Sequence, residues 1–155
     1  MIRPDKITLE FIRGLQREKW LQMLDPDIAT IYPYVGVDTA MDSRTRPNHF
    51  ALDWRRIKTV FRVNDPNWIV CAPPFGEDCR CGVRVFMEEE VRTLNLAVGL
   101  LKDWLGRTEE VELPMGEKIT ARIVPDKNFK SGLQALFTSE EMKTITLACF
   151  QPHEA

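Results

Sequence analysis

Apolar residues recur at two different periods along the chain, and these periods predict where helices and strands lie. The segment 8–24 has apolar residues near helical spacing, which predicts an amphipathic helix with Thr8 as its N-cap and Asp25-Pro26 at its end. The apolar residues of this stripe are Leu9, Ile12, Leu15 and Leu24. Segments 31–41 and 57–63 alternate and are rich in β-branched and aromatic residues, so they are predicted to be strands. One helical turn is expected between them, at 47–53.

The middle of the chain is predicted to form a loop, then a strand and then a helix. Residues 64–78, NDPNWIVCAPPFGED, contain three prolines and a glycine and are predicted to form a loop, with Trp68, Ile69 and Phe75 turned inward. Residues 79–86 alternate like a strand. The stripe that follows has steps of three and four and predicts a helix across 91–105. Its members are Val91, Leu94, Val98, Leu101 and Leu105.

The last third of the chain predicts a hairpin and a helix. TEEVELP and KITARIV flank the turn residues Met115-Gly116 and are predicted to pair as a β-hairpin. Thr138 and Glu141 have capping-box spacing and open a helix through MKTITLACF. This order of elements predicts an α+β fold, a single domain over 1–155 with a small antiparallel or mixed sheet and flanking helices.

Size and charge narrow the class of protein. A chain of 155 residues that is 44% hydrophobic can bury one core. A formal net charge of −2 argues against a protein that coats nucleic acid by bulk charge. The start has no long apolar segment, and LNLAVGLL at 94–101 is too short to span a bilayer, so we expect a protein that is neither secreted nor inserted in a membrane.

Positive charge is concentrated in one segment, 44–62, which has a single acidic residue, Asp53. Its cations are Arg44, Arg46, Arg55, Arg56, Lys58 and Arg62. We expect this segment to contact a partner, either phosphate or an acidic protein surface. The alternative for its first part is a solvated turn held by an Asp42–Arg44 pair.

Three of the four cysteines lie within eleven positions, which indicates a local metal or thiol site in a reducing compartment. Cys79 and Cys81 are two residues apart, a spacing that strains a disulfide between them and suits a metal. With His49 and Cys71 they make up the available quartet of soft ligands, and we predict one structural zinc ion that ties the proline-rich loop to its neighbours. A disulfide from Cys71 to Cys79 or Cys81, or buried free thiols, are the alternatives. Cys149 is expected in the core.

An enzymatic role has less support than a structural metal site. Glu77 or Asp78 could act as a general base beside a metal with an open coordination position. However, the zinc deaminase and zinc peptidase motifs are absent, as are the phosphate-binding loop, the dinucleotide-binding motif and the nucleophile elbow. We therefore expect no enzyme activity. A metal-dependent enzyme or toxin module of related fold is the alternative.

Three stretches together resemble the phage Mu F-like family of minor head, or head morphogenesis, proteins. They are YPYVGVDTAMD, MDSRTRPNHFALD and NDPNWIVCAPPFGEDCRCGVRV. The family pattern has an Asp at a strand end, Arg-x-Arg-Pro-x-His, Leu-Asp-Gly, Asp-Pro-x-Trp, Pro-Pro and Cys-Arg-Cys. The residues that follow it in order are Asp42, Arg44, Arg46, Pro47, His49, Leu52, Asp53, Asp65, Pro66, Trp68, Pro73, Pro74, Cys79, Arg80 and Cys81.

The resemblance covers about residues 31–86 and has two departures. Trp54 stands where the family has a glycine, and Cys71 stands where many relatives have histidine, an exchange between two types of metal ligand. The resemblance implies a low-copy virion component that is made in the host cytoplasm and lies inside the phage head or at its portal. Its implied role is head assembly or genome delivery, and its implied partners are portal or capsid proteins and packaged DNA.

Overall fold

Helices and strands are interspersed along the chain in an α+β arrangement, as the sequence predicts. The computed structural model describes residues 4–40, 46–76 and 79–150, with side chains from residue 10 onwards. Within these ranges the helices are α1 (Pro4–Met23), α2 (Pro26–Ile31), α3 (Pro47–Phe50), α4 (Trp54–Ile57), α5 (Glu88–Thr93) and α6 (Ser139–Cys149). The strands are β1 (Tyr34–Asp38), β2 (Thr59–Arg62), β3 (Gly82–Phe86), β4 (Ala97–Gly99), β5 (Thr108–Glu112) and β6 (Lys118–Arg122). Short 3-10 turns lie at Pro66–Ile69, Leu101–Asp103 and Leu133–Ala135.

The central sheet is mixed and has the strand order β3-β1-β2-β4. β1 pairs antiparallel with β2 and β3, while β4 runs parallel to β2. Successive side chains of a strand point to opposite faces. Accordingly Phe61 belongs to the main core, whereas Val60 lies in a smaller cluster with Phe86, Val91 and Leu96. Both faces of the sheet are therefore covered.

Several predicted elements are confirmed. The hairpin forms from β5 and β6, and its turn includes Gly116 at φ 91°, in the region that favours glycine. The N-cap of α6 is Thr138, whose hydroxyl accepts from the Glu141 N–H while the Glu141 carboxylate accepts from the Thr138 N–H. The loop after β2 has Trp68 and Phe75 buried, as expected.

The helix predicted over 91–105 is wrong. α5 ends at Thr93, Asn95 adopts a left-handed φ of 52°, and residues 97–99 then pair with β2 as β4. Asn tolerates this conformation better than most residues, so it can break the helical run. Hydrogen bonding along the edge of β2 therefore overrides the helical preference of this segment. As a consequence, Leu94 and Val98 are each 43% exposed.

The first helix is longer than predicted, and its buried face matches the predicted stripe only in part, through Leu24, which directly follows the helix. It begins at Pro4 instead of after Thr8, and a second helix, α2, follows because the Asp25 carboxylate caps it. The buried residues of α1 include Trp20 and Met23, whereas Leu15 of the predicted stripe is 55% exposed. The C-terminal half of α1 packs on the core, with the ring of Trp20 lying 5.5 Å from that of Trp68.

Within the described residues, no helix is both long enough and apolar enough to cross a membrane.

Candidate metal centre

Cys79 and Cys81 lie at the end of the proline-rich loop, which is called the cysteine loop below. We predicted them on a strand that begins at Cys79, but β3 begins three residues later, at Gly82. The Cys79 N–H donates to the Gly76 carbonyl at 3.2 Å, which curls the loop just before the strand. Both cysteines are almost fully buried, at 3% and 4% exposed. The two thiols are therefore presented by a loop that turns inward.

His49 reaches the cysteines from a short helix. Pro47 is the first residue of α3 and suits that position, since it has no N–H to satisfy. The His49 side chain is 2% exposed, and its ring centroid lies 5.3 Å from that of Phe75, which comes from the cysteine loop. Helix α3 thus aims the imidazole at the loop.

The structure brings His49, Cys79 and Cys81 together, with their potential ligand atoms all within 4.8 Å of one another. Two thiolates and an imidazole are preferred zinc ligands, with Zn–S near 2.3 Å and Zn–N near 2.1 Å. Ligand atoms of such a tetrahedral site lie about 3.3–3.8 Å apart, so small side-chain adjustments would accommodate the ion. The donor set and its spacing fit a zinc site.

Cys71, the fourth predicted ligand, does not join this group. It is buried at 3% exposure, and burial raises the pKa of its thiol to about 12. All four cysteines of the chain are described and all are free, so the alternative of a disulfide from Cys71 to Cys79 or Cys81 does not form. Cys149 is only partly buried and its thiol lies 3.7 Å from the Leu24 carbonyl oxygen.

The two neighbouring thiols influence each other. The hydrogen bond from Cys81 is the main cause that lowers the pKa of Cys79, burial opposes it, and a hydrogen bond with His49 lowers this pKa further. The same thiol–thiol bond, together with burial, raises the pKa of Cys81. Cys79 is therefore the first of the pair to ionise.

Asp126 also contacts the imidazole, and sequence reasoning missed it. Its Oδ1 lies 2.9 Å from His49 Nε2, and its Oδ2 lies 2.7 Å from Arg46 Nη1. The Asn48 side chain also donates to Oδ1, at 3.0 Å. Asp126 follows β6, more than seventy residues from His49, and no spacing signal in the sequence connects the two.

Helix α1 holds the backbone of the cysteine loop. Arg13 donates from Nη1 to the Cys79 carbonyl at 2.9 Å and from Nη2 to the Gly76 carbonyl at 3.0 Å. Gln16, which is 9% exposed, donates to the Cys81 carbonyl at 2.8 Å. Sequence reasoning also missed the role of these two side chains. Their polar character and their spacing on one helix face are the only signals in the sequence, and these signals do not identify the loop as their partner.

A second buried polar group lies beside the cysteines. Asp53 is fully buried, and its carboxylate accepts from the N–H and hydroxyl of Thr39 and from the backbone and guanidinium of Arg55. The electrostatic influence of Asp53 also contributes to the raised pKa of Cys81. The carboxylate fixes β1 to the start of α4.

The basic segment is largely paired within the protein. Arg46 contacts Asp126, Arg55 contacts Asp38 and Asp53, and the Arg56 guanidinium lies 3.8 Å from the Glu109 carboxylate. Lys58 is exposed and ends α4 in a left-handed conformation with φ 51°. Arg44, the predicted Asp42–Arg44 pair, the carboxylates Glu77 and Asp78, and His153 lie outside the described residues. Partner binding by this segment stays a prediction.

Comparison with known proteins gives one curated relative with related sequence. Over 94 residues the chain is 34% identical to a protein of Escherichia phage Mu named "Putative capsid assembly protein F". The aligned region takes in 61% of this chain and 20% of the phage protein, so the chain spans about a fifth of the length of that relative. No family model matches the sequence, and no solved structure matches the chain. The sequence is thus similar to part of a phage protein named for capsid assembly.

Proposed function

We propose that this chain acts in the assembly of a tailed-phage head. The observation that carries the proposal is the 34% identity over 94 residues to a phage protein named for capsid assembly. Our more specific proposal is a minor head protein, present in few copies inside the head or near the portal, that acts in head assembly or genome delivery. The whole chain, 1–155, would form one domain of this kind.

A structural zinc ion is part of the proposal. His49, Cys79 and Cys81 would hold it, and burial of all three to below 5% exposure leaves little access for a substrate. The ion would add to the apolar burial of Trp68, Ala72 and Phe75 in ordering the proline-rich loop. Cys71 lies on the same loop, eight residues before Cys79, and stays our candidate for the fourth ligand. We propose no enzymatic role.

Particle composition tests the assembly role. Quantitative mass spectrometry of purified particles of the encoding phage is expected to find a few copies of the chain per head.

Deletion of the gene should yield defective heads, and a plasmid copy should restore plaques. A Cys79→Ser/Cys81→Ser copy should restore them poorly, whereas the matched Cys149→Ser copy should work normally. Normal plaque numbers and normal particles without the gene would contradict the proposal.

We propose that the partner is a portal or capsid protein, with packaged DNA as a further candidate. The partner would contact the basic segment at Arg44, Arg46, Arg55, Arg56 and Lys58. For DNA, each phosphate contact contributes about −0.9 to the slope of log affinity against log salt. Arg56→Ala/Lys58→Ala should therefore flatten this slope by up to about 1.8, with Lys102→Ala as an exposed control. Arg55 is left intact because it holds Asp53. Absence of salt-dependent binding would indicate a protein partner.

A further inference from the structure

The imidazole of His49 has polar neighbours of two kinds, a carboxylate and thiols. Its Nε2 lies 2.9 Å from Asp126 Oδ1, which is hydrogen-bond distance, and the ring also offers a nitrogen within 4.8 Å of the sulfur atoms of Cys79 and Cys81. A carboxylate at neutral pH accepts hydrogen bonds and donates none. The contact with Asp126 therefore requires a proton on Nε2, and Nδ1 is the ring nitrogen left for another partner.

Asp126 is itself fixed in place at both of its oxygens. Arg46 Nη1 lies 2.7 Å from Oδ2, and Asn48 Nδ2 lies 3.0 Å from Oδ1. Its backbone N–H donates to the Phe75 carbonyl at 2.8 Å, which ties it to the cysteine loop as well. The carboxylate thus has a defined position before any metal binds, and it sets the orientation of the ring.

We infer that His49 binds the metal through Nδ1, and that Asp126 is a positioning residue that holds the proton on Nε2. The inference rests on the proposed metal site and adds to it the ligating atom and the group that selects it. A carboxylate that accepts from the second nitrogen of a histidine ligand fixes the tautomer and ring orientation and makes the ligating nitrogen more basic. Arg46 and Asn48 act one step further out, by holding Asp126.

Nitrogen NMR on the zinc-loaded full chain tests the ligating atom. The chain has two histidines, so a His153→Gln variant labelled with ¹⁵N-histidine leaves the signals of His49 alone. We expect Nδ1 to carry the metal-bound shift and Nε2 to carry a proton that exchanges slowly with water. A metal-bound Nε2 would overturn this inference and leave the metal site standing. A chain that retains no zinc in native mass spectrometry would overturn both.

Variants at Asp126 test the positioning role. Asp126→Ala should weaken zinc binding by about 10–100-fold, as measured by competition with a chromophoric chelator, and should speed exchange of the Nε2 proton. Asp126→Asn keeps an oxygen that can accept from Nε2, so it should recover part of the affinity. It also provides the test if the alanine variant does not fold. Glu117→Ala, which removes an exposed carboxylate elsewhere, should bind zinc normally. Unchanged zinc affinity and proton exchange in folded Asp126→Ala would overturn the role.

Discussion

Asp53 shows how a buried charge can stabilise this fold. Burial by itself would raise the pKa of Asp53, but hydrogen bonds from Arg55 and Thr39 outweigh it and hold the pKa below its ordinary value. Asp53→Asn keeps the size of the side chain but removes the charge and one acceptor. Donors of Thr39 and Arg55 then lose a partner, and we expect a loss of about 1–3 kcal/mol in the free energy of unfolding, measured by urea denaturation.

The same residue gives a pH dependence with a definite sign. Because the folded-state pKa is lower than the unfolded value of about 3.9, the contribution of Asp53 is complete above that pH and is lost as the pH falls below it. The stability difference between the native chain and Asp53→Asn should therefore be constant above about pH 5 and shrink as the pH falls below about 4. Both proteins should be measured in chelator so that metal loss does not contribute. A difference that stays constant as the pH falls below about 4 would contradict the argument.

Gly76 leaves room for the Arg46–Asp126 ion pair beside the candidate metal centre. A β-carbon there would lie 2.1 Å from Asp126 Oδ2 and 2.5 Å from Arg46 Nη1, so the ion pair would have to move. We expect Gly76→Ala to cost about 1–3 kcal/mol of stability and to weaken zinc binding. Gly14→Ala is the matched control, because its β-carbon meets nothing within 4 Å and helix α1 should gain about 1 kcal/mol. Equal behaviour of the two variants would show that the ion pair adapts freely.

Single residues also show which parts of the site the sequence could predict and which it could not. Residue type and local spacing were sufficient to select His49, Cys79 and Cys81, which the structure brings together. They selected Cys71 as well, and the structure leaves it outside the group. Asp126 could not be found in this way, because it approaches His49 only after the chain folds over the hairpin of β5 and β6. Ligand chemistry is encoded locally, whereas the groups that orient the ligands depend on tertiary contacts.

At the scale of elements, local signals decided which predictions succeeded. α6 was found from its capping box, and the hairpin was found from two alternating runs around a turn. β4 was missed because three residues that pair with β2 lie within a stripe that also fits a helix. In such a stripe only the sheet edge, which is a long-range feature, decides between helix and strand.

Helix α1 joins the core at one end and the cysteine loop at the other. Trp20 and Met23 anchor its C-terminal half by apolar burial, while Arg13 and Gln16 bind carbonyls of the loop. Arg13→Ala/Gln16→Ala should therefore loosen the helix near residues 10–16 and leave residues 20–24 protected. Each lost hydrogen bond is expected to cost about 1–3 kcal/mol.

Hydrogen exchange with mass spectrometry distinguishes these two halves of α1. Faster exchange confined to the first half, together with normal exchange in Lys19→Ala, would support the division, since Lys19 is exposed on the same helix. Uniform loss of protection along α1 would show instead that the loop contacts are needed for the whole helix.

At the scale of the whole molecule, the candidate metal centre connects parts of the chain that are distant in sequence. His49 comes from α3, the cysteines come from the loop before β3, α1 holds that loop, and Asp126 follows β6. A ligand that binds only the folded state adds RT ln(1 + [L]/Kd) to its stability, which is about 4 kcal/mol when free zinc is a thousand times Kd. The centre can thus stabilise the fold as a unit.

Removal of zinc should lower the melting temperature of the full chain. For a protein of this size about 1 kcal/mol corresponds to about 2–4 °C, so a strong chelator is expected to lower Tm by about 8–16 °C. Because thiolates bind the metal and thiols do not, the zinc-dependent part of Tm should decrease as the pH falls and protons compete for Cys79 and Cys81. Cys79→Ser/Cys81→Ser should melt at the chelated temperature with or without zinc, whereas Cys149→Ser should keep the full shift. A native chain that is isolated without metal from zinc-replete cells, and melts identically in chelator, would leave buried free thiols as the correct description of this site.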